Sequence, residues 1–275
     1  MNTNFKSWPI LLALGLTSVP LVTMYAYMII DTVTVSPPGS FIPNGISFGS
    51  WSFLWEAPAP GRPSIWSVTL NTFIFACVST LMALSVSLTG GYALSRLHLP
   101  FRGFFLGGLI VLHAFPTITL IIAIFLILQM VGLYDTLAGV ILVKAALEIP
   151  FGVWIMKGFY DTVPWEIEMA GLTDGATRFT VWRKLVLPQV QPGITALGIF
   201  AFLSGWSEFI LPQVLAPGAD AQVLGVYLQS LISDDTSMDF AKFKSVGVFY
   251  AIPVILIYIL FNKHLMNIYG GGTKG

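Results

Sequence analysis

Between Trp66 and Leu94 lie twenty-nine residues without one charged side chain. At about 1.5 Å of rise per residue, a helix of that length outreaches the roughly 30 Å hydrocarbon core of a bilayer. Five further apolar runs match it, at residues 8–30, 103–131, 137–159, 193–215 and 245–266. Charged residues make up only 9% of the chain against 56% hydrophobic, too few to cover a soluble surface. The sequence therefore predicts an all-α fold: a polytopic transmembrane bundle of six transmembrane helices in a single domain over residues 1–275. The first run follows Lys6 and has the outline of a signal peptide. Its twenty-three residues exceed such a core and no A-x-A site follows, so it reads as a retained span.

Six spans put both termini on one side. With the N-terminus inside, nine basic residues face the cytoplasm: Lys6, Arg96, Arg102, Lys157, Arg178, Arg183, Lys184, Lys263 and Lys274. Three face outward: Arg62, Lys242 and Lys244. The positive-inside bias fixes that orientation. The outer segment from Asp31 to Pro63 carries Pro37, Pro38, Pro43, Pro58, Pro60 and Pro63, with Phe41, Phe48, Trp51, Phe53 and Trp55 between them. Such punctuation predicts neither helix nor central strand. It reads either as an interfacial loop or as a surface for an extracytoplasmic protein. Cys77, the one cysteine, reads as a buried, inert thiol.

The longest inward interruption, residues 160–192, is polar and contains DTVPWEIEMAGLTDGATRFTVWRKLVLPQVQP. Asp161 or Thr162 is placed to cap a helix with Pro164 in its first turn, and Glu166 and Glu168 lie near its positive end. Asp174-Gly175 is a turn signal that stops it near Leu172. A second short helix is predicted from Thr177, with Phe179, Trp182 and Val186 as its apolar stripe, ended by Pro188 and Pro192.

This stretch resembles the cytoplasmic EAA loop of ABC-importer permeases, in particular the smaller permease of maltose-type carbohydrate importers. The family pattern places Met169, Ala170 and Gly171 at the E-A-A positions, Gly175 at its glycine, and Leu185, Leu187 and Pro188 at its final I-x-L-P. Met169 thus replaces the signature Glu, and Glu168 lies about 100° round the helix from it. NTFIFACVSTLMALSVSLTGGYALSRLHLPFRG, the GWSEF run at Gly205–Phe209 and the ending GGTKG resemble the same family, in the same order. The resemblance implies an ABC type I importer permease in a bacterial cytoplasmic (inner) membrane. It implies as partners a second permease in a heterodimer, two ATPase subunits, an extracytoplasmic solute-binding protein and a carbohydrate substrate. It also implies that Glu166, Glu168, Met169, Ala170, Gly171, Asp174 and Gly175 form the ATPase-docking element.

No Walker A, no G-x-G-x-x-G and no metal-spaced His or Cys cluster occurs, with His98, His113 and His264 far apart in sequence. The chain is expected to be no enzyme and to hold no cofactor, ATP and Mg belonging to the partner ATPase. Nothing points to nucleic acid. Lys144 and Glu148, at i and i+4 in the fourth span, read either as a packing pair or as groups bordering the translocation path. Glu208 beside Trp206 reads either as a sugar contact or as a packing and gating element. A secondary transporter would need internal repeats, and a membrane enzyme a catalytic cluster. An amino-acid or peptide importer is the nearest alternative, disfavoured by the six spans and the GGTKG ending.

Overall fold

The computed structural model describes residues 8–35, 44–56, 62–233 and 240–270. Lys6, Pro37, Pro38, Phe41, Pro43, Pro58, Pro60 and the GGTKG ending lie outside them. The described residues fall into two units, 1–59 with 228–252 and 60–227 with 253–275.

In the first unit, α1 (Trp8–Asp31) buries none of its residues and carries Pro20 within it. A two-residue ladder, Thr34–Val35 against Gly45–Ile46, leads to a short 3-10 helix at Gly49–Leu54. The segment expected to hold neither helix nor central strand thus holds a short 3-10 helix and a ladder of two edge strands. Its prolines flank residues 44–56 instead of interrupting them. Phe53 is buried there, edge-on to Phe249 at 6.0 Å, and Lys244 pairs with Asp31.

The second unit is built on α2 (Ile65–Arg96), which packs against α5 (Leu137–Asp161) and α9 (Gln191–Trp206). Contact is close at Gly91, where a Cβ would come within 2.8 Å of the Met156 Cβ. Ser64 caps α2 by accepting from the Ser67 N–H. Two apolar clusters occupy opposite ends of α5. One gathers Phe75, Leu128, Val140, Ile141, Leu211 and Leu215; the other gathers Met156, Tyr160, Val163, Val181, Val186 and Leu197. Cys77, expected to be buried, is only half-buried.

Among the described residues four helices are long and apolar enough to cross a membrane, and six spans result if each of two bent pairs is one span. The third expected span is one such pair, α3 (Arg102–Ala114) and α4 (Thr117–Met130), turned by 96°. Pro116 forces Phe115 out of the helical region, to ψ 128°, and is itself extended at ψ 127°. Two extended residues in succession turn the chain instead of kinking it. The fifth expected span, 193–215, also breaks. Ahead of α9 lie α7 (Arg178–Val181) and α8 (Leu187–Gln189), joined by a π turn at Trp182–Val186 and inclined at 75° to α9. Beyond it, residues 207–209 separate α9 from α10 (Ile210–Leu215). Between α5 and α7 lies α6 (Trp165–Thr173).

The stretch 217–244, expected as a polar connection, contains α11 (Leu224–Ser233), and α12 (Phe240–Gly270) starts five residues before the expected sixth span. Long-range bonds fix this region: the Thr72 hydroxyl accepts from the Leu224 N–H at 2.7 Å, and the Asn71 amide donates to the Asp220 and Gln222 carbonyls. Opposite it, a turn with Gly132 at φ +71° and Asp135 at φ +59° leads into α5, and the Asp135 carboxylate accepts from the Gly218 N–H.

Candidate functional site

The element between α5 and α9 begins later than its sequence indicates. Asp161 is the last residue of α5, and Thr162 closes that helix by donating to the Phe159 carbonyl. The Asp161 carboxylate is already engaged by Lys157 and, at 2.6 Å, by the Ser95 hydroxyl. Pro164, extended at ψ 133°, stands at the cap position of α6, outside its first turn. The helix ends at Thr173, and Gly175 takes φ +83°. Thr177 then caps α7 by accepting from the Thr180 N–H. The chain does not stop at Pro188. The π turn before it gives the pyrrolidine ring the room that an α turn would deny.

The expected stripe of Phe179, Trp182 and Val186 is split. Val186 is buried with Val181, Trp182 is half-buried with its Nε1–H on the Tyr160 hydroxyl, and Phe179 points outward.

The two faces of α6 differ in a way that corrects the expected docking set. Glu168 is 1% exposed and turned into the chain. Its Oε1 accepts from the Tyr92 hydroxyl, and its Oε2 lies 3.4 Å from the Arg96 Nε. Arg96, itself buried, also donates to the carbonyls of Tyr160 and Val163 and lies over the Trp165 ring at 5.2 Å. A carboxylate held this way is not offered to another protein. Gly171 is likewise internal: a Cβ there would meet the Leu185 Cδ1 at 2.7 Å and the Val181 Cγ2 at 3.0 Å. Its small size admits α7 and the π turn of this same chain. Glu166, Met169, Ala170 and Thr173 lie on the opposite, exposed face at i, i+3, i+4 and i+7, and Asp174 and Gly175 are exposed beside them. Phe179, Leu185, Arg178, Arg183 and Lys184 continue that surface.

About 10 Å along α5 from its start, by helical rise, the structure brings Glu208 to the pair Lys144 and Glu148, from which the sequence held it apart. Lys144 donates to the Glu208 Oε2 and to the Ser204 Oγ, each at 2.8 Å. The Glu148 Oε1 is farther, 3.3 Å from the same ammonium. The expected i, i+4 pair therefore exists as an ion contact, but Glu208, 64 residues on, is the closer partner. The second oxygen of Glu208 accepts from the N–H groups of Phe209 and Leu211, which explains why α10 starts where it does. Trp206 is 2% exposed and stacked on Phe202 at 6.0 Å. Its face, read from the sequence as either a sugar contact or a packing and gating element, is covered by the chain's own core.

Arg96, Tyr92 and Ser204 escaped the sequence reading. Arg96 alone left a trace there, as a charge at the end of an apolar run; nothing local marks a tyrosine or serine whose partner lies 60 or more residues away.

Residues 87–270 match the family of binding-protein-dependent transport system inner membrane components. The trehalose transport system permease protein SugB of Mycobacterium tuberculosis is 24% identical over 272 residues, 98% of this chain and 97% of that protein. The sulfoquinovosyl glycerol transport system permease protein SmoH of Agrobacterium fabrum is 29% identical, over 74% of this chain and 72% of its own length. The maltodextrin transport system permease protein MdxG of Bacillus subtilis is 27% identical, over 74% of each. Among solved structures, a chain of a bacterial ABC transporter that imports the acidic polysaccharide alginate superposes with a TM-score of 0.79 at 20% identity, covering 96% of this chain and 98% of that one. With a family match across more than half its length, the chain belongs to the binding-protein-dependent transport system inner membrane components, the permeases of ABC importers.

Proposed function

We propose that the chain is one half of the translocation pathway of a carbohydrate importer, coupled to a cytoplasmic ATPase through the exposed face of α6. The substrate class rests on relatives that carry trehalose, sulfoquinovosyl glycerol and maltodextrin in their names. The partners are a second permease, two ATPase subunits and an extracytoplasmic solute-binding protein. A structure similar in fold is an alginate transporter in complex with a saccharide-bound periplasmic protein. The nine-to-three excess of basic residues puts α6 and both termini in the cytoplasm. This chain is no enzyme and holds no cofactor; ATP and Mg bind the ATPase.

One observation carries the coupling role. Met169 and Ala170 form an outward, partly apolar strip on a helix whose opposite face is locked to the chain by Glu168 and Gly171. Lys144, Glu148 and Glu208 supply charge to the pathway at membrane depth.

The test is Ala170→Arg in the assembled complex. The substitution adds bulk and charge to an exposed position, so the chain's own melting temperature stays within about 2 °C, given surface effects under about 0.5 kcal/mol. ATPase copurification and sugar uptake fall together. Unchanged copurification and uptake would remove the docking assignment.

A further inference from the structure

Beside the Lys144 cluster lies a cavity of about 420 Å³, walled by Ala83, Phe151, Ile155, Leu197, Phe200 and Ala201. Among the described residues three polar groups reach it: Glu148, His113 and Ser204. His113 stacks on Phe151 at 4.9 Å with the rings 13° from parallel, so its flat face is already spent. Ser204 receives the Lys144 ammonium. Glu148 is different. Both its carboxylate oxygens are buried, and neither accepts a hydrogen bond from a described residue. Buried polar atoms without partners are rare in folded proteins and call for a reason. The lysine supplies only an ion contact of 3.3 Å to one of the two oxygens, because its short bonds go to Glu208 and Ser204. The cluster also holds two carboxylates against one ammonium, so Glu148 is the surplus acceptor.

We propose that this cavity is a saccharide subsite on this subunit, in which Glu148 accepts a hydrogen bond from a sugar hydroxyl. The inference rests on the carbohydrate reading above. A carboxylate offers only acceptors, so its ligand must bring donors, and a neutral polyol brings several. The C–H face of a pyranose is apolar and flat, which suits the part-exposed rings of Phe200 and of Phe151, whose other face His113 covers. The volume falls within the range of small-ligand pockets, mostly apolar with a few placed polar groups. The aromatic surface expected of Trp206 is thus provided by two other side chains, on α5 and α9.

The test uses the complete importer reconstituted in proteoliposomes, with radiolabelled trehalose, maltotriose and diacetylchitobiose as probes. Uptake of whichever sugar the wild type carries is compared with uptake of its monodeoxy analogues, for wild type, Glu148→Gln, Glu148→Leu and Phe151→Leu. Loss of a hydrogen bond to a charged acceptor corresponds to about tenfold or more in affinity. For one deoxy position the wild-type preference for the parent sugar therefore shrinks by about tenfold in Glu148→Leu, and by less in Glu148→Gln, whose amide oxygen still accepts but without the charge. Phe151→Leu weakens uptake of parent and analogue alike. The solute-binding protein is common to all arms, so its own selectivity cancels.

An unaltered parent-to-deoxy ratio at every position, in variants that still assemble, overturns the subsite while leaving the carbohydrate reading standing. Loss of copurification with the second permease at unaltered ratio overturns it too, by making the cavity a subunit interface. Failure of the wild type to carry any of the sugars overturns the carbohydrate reading, and the subsite with it.

Discussion

Replacing Arg96 by Met removes more than a charge. The guanidinium's bonds to the Tyr160 and Val163 carbonyls go, and Glu168, 1% exposed, keeps a single donor in the Tyr92 hydroxyl. Hydrogen bonds to charged groups contribute about 1.5–3 kcal/mol each, and stranding one member of a buried pair costs about 3–5 kcal/mol. These figures count the same contacts, so the expected loss is about 3–5 kcal/mol, not their sum. Glu168→Gln is milder. The amide keeps the volume and an acceptor for Tyr92, while Arg96 keeps two carbonyls and the Trp165 ring, so about 1–2 kcal/mol is expected. Arg96→Met combined with Glu168→Leu leaves no stranded charge and should be no worse than Arg96→Met alone. Thermal unfolding in detergent reads these differences at roughly 2–4 °C per kcal/mol for chains of about this size. Equal losses for Arg96→Met and Glu168→Gln, or a double variant that loses the sum of its singles, would show that the two side chains do not act as a pair.

Gly171→Leu should destabilise the isolated chain by about 1–3 kcal/mol, since the new side chain must displace Val181 and Leu185; an unshifted melting curve would show that the contact yields freely. Lys144→Met strands two carboxylates and should cost more than Glu148→Gln, with Lys144→Met/Glu208→Gln recovering part of the loss; differential scanning fluorimetry that ranks them otherwise would refute the cluster's assignment to Glu208. Met169→Glu lies on an exposed site, so folding should be indifferent, while sugar-stimulated ATPase activity of the complex should not improve. A clear gain in coupled activity would mean that the partner keeps a donor for the signature carboxylate.

The order of apolar runs and the position of the polar interruption were legible because both depend on local composition. What composition could not carry was direction. Pro116 marked a break, but whether it kinks a helix or turns it by 96° depends on Phe115 and Pro116 both being extended. The interruption at 207–209 was marked locally only by Ser207 and Glu208, inside a run that is apolar on both sides; it exists because Glu208 serves backbone donors. On α6 the short helix has little apolar segregation, so nothing in its nine residues says that Glu168 faces inward. That follows from Arg96, brought there by the packing of α2 on α5.

The meeting of four groups at the Arg96 guanidinium has a kinematic consequence. From the end of α2 it is fastened to the last turn of α5 at Tyr160, to the connection at Val163 and to α6 at Glu168. Such a node leaves no play in the linkage. A displacement imposed on α6 cannot be absorbed by swivelling at its root, so it becomes a tilt of α2 and α5 together. Lys144 lies about 25 Å up α5 from that node by helical rise, so even a small tilt sweeps the charged cluster sideways by a proportionate arc. An element fastened this way would act as a lever with a stiff joint, and loosening the joint would let the short arm move while the long arm stays still.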